Sequence, residues 1–283
     1  MLKIAIQAKG RLNEDSMALL ADAGIHVAHS KRKLVAEASG FPIQVLYLRD
    51  DDIPQAVAMG VADVGIVGLN EIAEKNEDVQ VLRKLGFGAC RISLAVPRSA
   101  EYTGLEWFNG KRVATSYPRI LRNFFAEHNI HADIHEVAGS VEIAPVVDLA
   151  DAIFDIVSSG STLVQNNLKE VEQVFFSEAA LVATKKLTDF QWAEVDKLVF
   201  RFDSIVNSRG MKYVLMNIPQ DKVEEAAALC PGMRSPTVIP LADAGWVSLH
   251  VVVRDSELWE KVERLKKLGA EGILVLSLEN MIK

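Results

Sequence analysis

Apolar segments of strand length alternate with segments of helical period near the start of the chain. Strands are expected over Leu2–Ala8, Ile43–Leu48 and Val64–Val67. A helix is expected over Ser16–Ala23, with Asn13 as its N-terminal cap. A second helix, capped by Asp51 or Asp52, is expected to end at Met59. This β-α-β-α-β order predicts a mostly parallel sheet that is covered by helices.

The same alternation restarts near Arg91 and predicts a second α/β lobe. A helix is expected over Pro118–Glu127, and a longer one over Phe190–Val206. Two α/β lobes with a cleft between them are therefore the expected architecture of the first 208 or so residues. The strands of the second lobe are expected at Ile92–Val96, Arg112–Thr115, Ile134–Val137, Ala152–Val157, Val171–Phe176 and Ala180–Ala183.

The last part of the chain has a different order of elements. Strands and helices are expected as β-α-β-β-α-β, which is the split ferredoxin-like arrangement. Residues 208–210 (Ser-Arg-Gly) are the expected linker. The domains are accordingly expected at residues 1–90 with 184–208, at 91–183 and at 210–283.

The charge balance excludes two classes of partner. The chain has 283 residues and a formal net charge of −7. Proteins that bind nucleic acid or an anionic membrane need a basic surface, so neither partner is expected. No apolar run reaches the ~18 residues of a membrane span, and the apolar N-terminal segment is too short for a signal peptide. We therefore expect a cytoplasmic protein, with Cys90 and Cys230 as buried thiols in a reducing compartment.

Charges of one sign are concentrated in two stretches. Residues 83–123 contain eight basic and two acidic side chains, whereas residues 141–180 contain seven acidic side chains and one lysine. Part of the acidic stretch is expected to be functional, as argued below. The other acids are expected on a solvated surface: Asp148, Glu170, Glu172 and Glu178.

A turn of small residues, 158–162, lies between an expected buried strand and an expected helix start at Leu163. A strand, a turn of Gly, Ser and Thr, and a helix N-terminus make an anion site, because free backbone N–H groups and the helix dipole point at one spot. Gly160 lets the backbone approach a phosphate closely. An ordinary turn whose serines cap a helix is the alternative. The loop residues are Ser158, Ser159, Gly160, Ser161 and Thr162.

Two acids, Asp151 and Asp155, stand beside this loop in the sequence. A carboxylate next to a phosphate pocket is repulsive unless it binds hydroxyls or a divalent ion. Mg²⁺ favours one or two carboxylates together with phosphate oxygens. A sugar phosphate has a phosphate for the loop and a vicinal diol for an acid, so this pattern favours a sugar phosphate with Mg²⁺.

Polar residues follow several other expected strands, where ligands bind in open α/β sheets. Cations around a glycine suit a polyphosphate, an arginine suits a base or a phosphate, and a Pro-started helix offers an anion contact. Surface charge, helix caps and tight strand packing are the alternatives for these segments. The residues are Lys9, Arg11, Arg49, Asn70, Thr115, Ser116 and Tyr117.

Together these segments resemble the long form of the ATP phosphoribosyltransferase family over essentially the whole chain. KGRL at 9–12, RDDDIP at 49–54, DVGIVG at 63–68 and ATSYP at 114–118 are similar to family segments. Asp148 stands where the family usually has glycine, and Asn70 where some relatives have an acidic nucleotide contact. The strongest similarity is to the phosphoribosyl-diphosphate motif, through Glu142, Ala150, Ile153, Asp155, Ile156, Ser159, Gly160, Thr162 and Leu163.

The resemblance implies a fold and an activity. The fold is a two-lobed core like that of periplasmic binding proteins, followed by an ACT-like regulatory domain. The activity joins N1 of the ATP adenine to 5-phosphoribosyl 1-diphosphate, giving phosphoribosyl-ATP and diphosphate in the first step of histidine biosynthesis. Mg²⁺ is the implied cofactor, and dimers that assemble into a hexamer are the implied oligomer.

The resemblance also assigns residues to roles. Lys9, Arg11, Arg49 and Asp155 are the implied catalytic set, and Asp151 with Asp155 the implied metal ligands. Glu142 joins Asp151, Asp155 and the loop 158–162 in binding phosphoribosyl diphosphate. The nucleotide is expected at Arg49, Asn70, Thr115, Ser116 and Tyr117. Histidine, as the feedback inhibitor, is expected at Asn217, Met233, Ser235, Thr237 and Gly272.

Two other hypotheses remain open from the sequence. A two-lobed binding or sensor protein would hold a phosphate or an amino acid without turnover. A regulatory relative that has lost catalysis is the other alternative. The loop and its neighbouring acids favour chemistry over amino-acid capture, and release of diphosphate distinguishes the hypotheses.

Overall fold

A computed structural model of the protein describes residues 1–28, 34–158 and 160–283. The chain divides into two compact units, Met1–Val199 and Phe200–Lys283. Ser159, one of the expected loop residues, lies outside the described residues. In the described part of the chain, no helix combines the length and the apolar character that crossing a membrane requires.

The first unit contains a sheet of seven strands, which we call the sheet of the first lobe. Its central strands are parallel neighbours, and their apolar side chains, such as those of Ile4, Val45 and Ile66, are fully buried. The strand order is β2-β3-β4-β1-β5-β12-β6. The strands are β1 (Leu2–Gln7), β2 (His26–Val27), β3 (Val35–Ser39), β4 (Ile43–Leu48), β5 (Val64–Gly68), β6 (Val79–Lys84) and β12 (Ala179–Thr184).

Three helices follow strands of this sheet, and each begins close to the carboxyl end of its strand. They are α1 (Arg11–Asp22), α2 (Ile53–Met59) and α3 (Leu69–Lys75), and a short 3-10 helix (Asp50–Asp52) precedes α2. The expectation that Asn13 caps the first helix is wrong. Gly10, at a φ of 102°, precedes α1 instead, and Asn13 Nδ2 donates to the carbonyl of Gln7 at 2.6 Å.

The second lobe is built on a sheet of five strands in the order β11-β7-β10-β8-β9. Strands β8, β9 and β10 run parallel, whereas β7 is antiparallel to β10 and β11. Helix α4 covers one face, where Leu121 and Phe125 join the core around Phe108 and Phe154. The elements are β7 (Cys90–Pro97), β8 (Arg112–Thr115), α4 (Pro118–Glu127), β9 (Asp133–Glu136), β10 (Ala152–Val157), α5 (Ser161–Gln165) and β11 (Leu168–Ser177).

The chain passes between the two lobes twice, and the two passages lie side by side. The first passage leads from β6 to β7, and the second leads from β11 to β12. Leu85 N donates to Ala179 O, and Ala179 N donates to Phe87 O, both at 2.9 Å. Strand β12 belongs to the seven-stranded sheet, so the chain returns to the first lobe at Ala179, before the boundary expected at residue 184.

Helix α6 (Asp189–Ser208) contains the boundary between the two units, and the second unit continues with the expected β-α-β-β-α-β order. Its four strands form an antiparallel sheet in the order β14-β15-β13-β16, as in a ferredoxin-like fold. Val214, Met216 and Leu249 lie in its buried core. The elements are β13 (Met211–Pro219), α7 (Val223–Leu229), β14 (Thr237–Pro240), β15 (Trp246–Arg254), α8 (Leu258–Lys267) and β16 (Glu271–Ser277).

Candidate active site

The polar residues expected on the first lobe follow three adjacent parallel strands. Gln7 and Leu48 are register partners at the ends of β1 and β4, and Ala8 N donates to Leu48 O at 2.7 Å. The loops that carry Lys9 and Arg49 therefore start from neighbouring positions at one edge of the sheet. Strand β5 pairs with β1 on its other side and leads directly into α3. The sheet thus places these loops at its carboxyl edge, where open α/β sheets bind ligands.

The cations of this edge differ in their surroundings. The side chains of Lys9 and Arg11 are exposed. Arg49 is 77% exposed, and its Nε lies 3.2 Å from Asp51 Oδ1. Asp51 is also 3.6 Å from Lys75 Nζ, on α3. Lys9, Arg11 and Arg49 are therefore exposed to solvent at this edge, and Arg49 is in addition paired with the carboxylate of Asp51.

The two glycines of β5 serve the packing of the first lobe. A Cβ on Gly65 would lie 2.8 Å from a methyl group of Ile53 and 2.9 Å from one of Val57, so Gly65 lets α2 approach the sheet. A Cβ on Gly68 would lie 2.2 Å from Asn70 Oδ1. The interpretation of this segment as tight strand packing is thus confirmed for Gly65, and Gly68 gives Asn70 its space.

The loop 158–162, called the phosphate loop here, connects β10 to α5. Its Gly160 has a φ of +79°, in the left-handed region that glycine adopts without strain. A small cavity is lined by Ser158, Gly160 and Thr162 of the loop together with two carboxylates, and the sequence motif predicted both groups. The lining residues are Glu142, Ile153, Asp155, Ile156, Val157, Ser158, Gly160, Thr162 and Leu163.

The carboxyl group of Asp155 is the most strongly perturbed acid of this cavity. Burial raises its pKa to about 6, and the nearby negative charge of Glu142 adds to the rise. The backbone N–H of Ile156, which donates to Asp155 Oδ1 at 2.8 Å, opposes the shift. Two carboxylates beside an anion loop repel each other and any phosphate, which favours a cation or hydroxyl groups between them.

Asp151, in contrast, is not among the residues that line this cavity, and it is paired with Arg112. Its carboxylate accepts the backbone N–H of Arg112 at 2.9 Å, and Arg112 Nη2 lies 3.0 Å from Asp151 Oδ1. The hydrogen bond from the Arg112 side chain holds the pKa of Asp151 below its usual range. Asp155 therefore lines the cavity beside the phosphate loop, whereas Asp151 does not.

Asp148, which stands where the family usually has glycine, fits its turn and joins this ion pair. It has a φ of 57°, a conformation in which glycine is favoured and Asp is tolerated. Its Oδ1 lies 2.8 Å from Arg112 Nη2, and Arg112 Nη1 donates to its carbonyl oxygen at 2.8 Å. Arg112 thereby connects the segment before β10 to β8.

The expectation that the other acids of this stretch are merely solvated is wrong. Arg91 binds Glu170 through both Nε and Nη2, at 2.6 and 2.7 Å, and its Nη1 donates to the carbonyl of Ser158 at 3.3 Å. Ser93 Oγ also donates to Glu170. Glu172 accepts from the Tyr102 hydroxyl at 2.7 Å, and Glu178 pairs with Lys84 at 3.1 Å. Arg91 and Glu170 thus hold the first residue of the phosphate loop.

In the turn after β8, the hydroxyls of two of the three expected nucleotide residues are already engaged in hydrogen bonds within the second lobe. Thr115 is fully buried, and its hydroxyl accepts the N–H of Tyr117 at 2.8 Å. Ser116 Oγ donates to Val137 O at 2.7 Å. Tyr117 is only 7% exposed and points toward the first lobe. Burial raises the pKa of its phenol, and the charges of Glu71 and Asp155 act in the same direction.

A buried hydrogen-bond network joins this turn to α3. Tyr117 Oη donates to Glu71 Oε1 at 3.1 Å and accepts from Asn70 Nδ2 at 3.2 Å, and Asn70 Nδ2 also lies 3.0 Å from Glu71 Oε1. Ser177 Oγ donates to Asn70 Oδ1 at 2.7 Å. Burial raises the pKa of Glu71 to about 7, and Asp50 adds to the rise.

Glu71 is the residue of this site that the sequence reasoning missed. A glutamate in the first turn of a helix looks like a favourable partner of the helix dipole, which needs no further explanation. The available signal was its place immediately after Asn70, at the carboxyl end of β5. Its burial, at 6% exposure, depends on Tyr117, which lies 46 residues away in the chain.

In the second unit, the expected effector residues form two groups. Asn217 on β13 is the register partner of Glu271, and its Nδ2 lies 3.4 Å from where a Cβ on Gly272 would stand. Thr237, at the start of β14, pairs with His250 of β15, and Met233 and Ser235 precede it. Strand β15 separates the two groups within the sheet.

The fold and the site define a two-lobed α/β protein whose polar loops, including the loop 158–162, follow the carboxyl ends of its strands. The family model for ATP phosphoribosyltransferase matches residues 49–204, and that for the C-terminal domain of the same family matches residues 208–280. The chain therefore belongs to the ATP phosphoribosyltransferase family. It is a pentosyltransferase that joins ATP to 5-phosphoribosyl 1-diphosphate in the first step of histidine biosynthesis.

Individual relatives support this membership. An ATP phosphoribosyltransferase of Bacteroides thetaiotaomicron is 56% identical over 282 residues, which is 100% of both chains. One of Cytophaga hutchinsonii is 51% identical and covers 100% of this chain and 99% of its own. A chain of the HisG:HisZ complex from Thermotoga maritima superposes with a TM-score of 0.64 at 28% identity, over 73% of this chain and 99% of its own.

Proposed function

We propose that the phosphate loop and the two carboxylates beside it bind 5-phosphoribosyl 1-diphosphate. The observation that carries this assignment is the single cavity lined by Glu142, Asp155 and the loop. Backbone N–H groups of residues 158–162, with the Ser158, Ser159, Ser161 and Thr162 hydroxyls, suit the 5′-phosphate. Asp155, at the carboxyl end of β10, suits the ribose hydroxyls. In this assignment Asp151 acts indirectly, because Arg112 already occupies its carboxylate.

Mg²⁺ is the proposed cofactor, and the donor set beside the loop fits it in part. Mg²⁺ binds proteins through one or two carboxylates plus substrate phosphates, and Glu142 and Asp155 are two such carboxylates. Among the described residues no three His, Cys, Asp or Glu side chains are grouped to hold a metal by themselves. We therefore propose that Asp155 and Glu142, rather than Asp151, face a Mg²⁺ that arrives with the diphosphate and neutralises its charge.

The nucleotide is proposed to lie against the carboxyl edge of the first lobe. Lys9, Arg11 and Arg49 would neutralise the triphosphate, and their position after β1 and β4 supports this role. Asn70 and Tyr117 would contact the base from opposite lobes. The Thr115 hydroxyl bonds within the turn and the Ser116 hydroxyl bonds Val137 after β9, so their contribution is to shape and hold the turn.

Catalysis in this arrangement is positioning and electrostatic stabilisation. Adenine N1 forms a bond to C1 of the ribose while the bond from C1 to the diphosphate oxygen breaks, and the diphosphate leaves with the electron pair. Positive charge develops on the ribose and negative charge on the leaving group. The carboxylate of Asp155 would face the first, and Lys9, Arg11 and Arg49, which also neutralise the ATP triphosphate, would lie near the second. No covalent intermediate with the protein is needed.

For the second unit, we propose a regulatory role in which histidine binds and inhibits. The ferredoxin-like sheet and the proximity of Asn217 to Gly272 support one half of the pocket. Thr237, Ser235 and Met233, across β15, would form the other half or belong to a second copy of the chain. We further propose a homo-oligomer of dimers up to a hexamer, and a cytoplasmic location, which ATP as a substrate favours.

Release of diphosphate tests the assignment of the site. Mixed with ATP, phosphoribosyl diphosphate and Mg²⁺, the wild-type protein is expected to release diphosphate and form phosphoribosyl-ATP. The variant Asp155→Ala is expected to lose most of this activity, while Asp243→Asn, in a turn of the second unit, is expected to keep it. A wild-type rate in Asp155→Ala would refute the role of Asp155. A sensor without turnover, which family membership does not favour, would release no diphosphate.

A further inference from the structure

Helix α3 contacts the second lobe at two separate points, although it belongs to the first lobe. Glu71, in its first turn, accepts the phenol hydrogen of Tyr117. One turn later, Glu74 Oε1 accepts the backbone N–H of Arg119 at 2.8 Å, and Glu74 Oε2 accepts that of Ile120 at 3.0 Å. Both contacts are made to one short segment, the turn after β8 and the start of α4.

The contact made by Glu74 provides acceptors for backbone N–H groups at the start of α4 that have no partner within that helix. The first backbone N–H groups of a helix have no partner within the helix, and a carboxylate there is stabilised by the helix dipole as well. Pro118 at the first position of α4 has no N–H to offer. Glu74 therefore binds the first two donors that α4 has, and it does so from another lobe.

The contact made by Glu71 fixes the side chain of Tyr117, whose only polar atom is its hydroxyl oxygen. Tyr117 Oη donates to Glu71 and accepts from Asn70, so both hydrogen-bonding functions of the hydroxyl are used within the protein. Asn70 is in turn held by Ser177 at the passage between β11 and β12. The hydroxyl of Tyr117 is thus held from the other side of the cleft by α3, with Glu71 and Asn70 as its partners.

We propose that Glu71 and Glu74 are positioning residues, through which α3 of the first lobe sets the Tyr117 turn of the second lobe and thereby the affinity for the nucleotide. This inference rests on the proposed function, in which Tyr117 contacts the base. Glu71 orients the phenol, and Glu74 fixes the backbone that carries it. Neither glutamate needs to touch the substrate.

The test compares Michaelis constants for the two substrates. Glu71→Met removes the accepting oxygens and keeps an unbranched side chain, so Tyr117 Oη loses its acceptor. The KM for ATP is expected to rise by about tenfold, the equivalent of one lost hydrogen bond, while the KM for phosphoribosyl diphosphate changes little. Glu71→Gln keeps an accepting oxygen and is expected to restore most of the affinity. Glu77→Gln, just beyond α3, is the matched control.

A double variant tests whether Glu71 acts through Tyr117. Tyr117→Phe is expected to raise the KM for ATP by itself, and adding Glu71→Met is expected to cause no further rise, because the hydroxyl is already absent. Two effects that multiply would overturn the inference. An increase with Tyr117→Phe and none with Glu71→Met would overturn the inference alone. An unchanged KM in Tyr117→Phe would overturn the inference alone, because phenylalanine keeps the ring, whereas an unchanged KM in Tyr117→Ala would overturn the nucleotide assignment of Tyr117.

The variant Glu74→Ala provides a second test of the positioning role, and this test does not require the substitution of a buried residue. Glu74 is only partly buried, so its removal leaves no large cavity. We expect the KM for ATP to rise several-fold in this variant, since α4 loses the carboxylate at its start. If the KM for ATP and the KM for phosphoribosyl diphosphate are both unchanged in Glu74→Ala, the proposed role of α3 is contradicted. This outcome decides the question even if Glu71→Met does not fold.

Discussion

Asp151 and Arg112 form an ion pair in which the arginine side chain and its own backbone N–H both bind the same carboxylate. The pair connects β8 to the start of β10, two parallel strands whose carboxyl ends carry the Tyr117 turn and the phosphate loop. A carboxylate that appeared in the sequence as a metal or ribose ligand thus holds the two strands in register. Its substitution is expected to change stability first and catalysis second.

Asp151→Asn is therefore expected to lower the free energy of unfolding by about 1 kcal/mol, the discounted value for a partly exposed pair. Its pKa is lowered in the folded protein from 3.8, so the ionised form contributes stability above that pH, and the contribution disappears as the pH falls through the folded value. Urea titrations at pH 7 and pH 3 measure both effects. The dependence of the rate on Mg²⁺ should be unchanged, and a large rise in the Mg²⁺ requirement would contradict this assignment.

Asp155 gives the enzyme a pH dependence of its own. Its pKa is raised to about 6, so the carboxylate is ionised above that pH and becomes protonated below it. We expect kcat/KM for phosphoribosyl diphosphate to fall as the pH decreases through about 6. Asp155→Asn is expected to lower kcat/KM by about 10²-fold and to remove this limb of the profile.

Glu142→Gln offers a sharper version of the same experiment. The charge of Glu142 raises the pKa of Asp155, so its neutralisation should move the acidic limb to lower pH. A pH–rate profile in this variant that keeps its inflection near 6 would show that another group controls the limb.

Gly160 combines a left-handed backbone with open space around it. A Cβ there would meet only Val157, at 3.9 Å, so alanine costs conformational strain of about 1–2 kcal/mol and no collision. Gly110, with a φ of +70° and no neighbour within 4 Å, is a matched control in a distant turn. Both alanine variants should unfold at lower temperature, but only Gly160→Ala should raise the KM for phosphoribosyl diphosphate.

Glu71 is expected to make the protein less stable as the pH rises. Its folded pKa of about 7 lies above the ordinary 4.5, so its contribution is fully present below about pH 4.5 and is lost as the pH increases to about 7. The loss amounts to roughly 3 kcal/mol. Guanidinium titrations between pH 4.5 and 8 should show a smaller decline in Glu71→Gln than in the wild type. Parallel curves would exclude Glu71 as the titrating group.

Histidine inhibition tests the proposed role of the second unit. Thr237→Ala is expected to raise the concentration of histidine that halves the rate, because the variant lacks a hydroxyl at the proposed pocket. The rate without histidine should be unaffected, since Thr237 lies outside the catalytic unit. Asp243→Asn, at the other end of β14, should be inhibited as the wild type is. Equal sensitivity of the two variants would contradict the pocket.

The elements with a strong local pattern could be predicted from the sequence. Strands Arg112–Thr115 and Ala152–Val157 and helix Pro118–Glu127 have the expected bounds, because a buried apolar run or a proline start marks each of them. Strand β3 and helix α3 were not predicted. Strand β3 is short and largely exposed, and α3 has seven residues with no marked start.

Side-chain partners were the other part that the sequence did not reveal. The phosphate loop is local, so its residues could be assigned together. Glu170 and Arg91 are 79 residues apart, and Asn70 and Ser177 are 107 residues apart. From the sequence alone, a carboxylate is interpreted as solvated, because only the fold brings the strand with the pairing arginine beside it. Glu71 belongs to the same class, because only the folded chain brings Tyr117 over it.

The two passages between the lobes, joined by hydrogen bonds between Leu85, Phe87 and Ala179, also limit how the lobes can move. Two short segments bonded side by side bend readily about the line across both of them, but they resist twisting and sliding. Opening of the cleft would thereby be reduced to a single rotation. Such a rotation would return Tyr117 to the same atoms of α3 at each closure, so the geometry of the site would be the same from one turnover to the next.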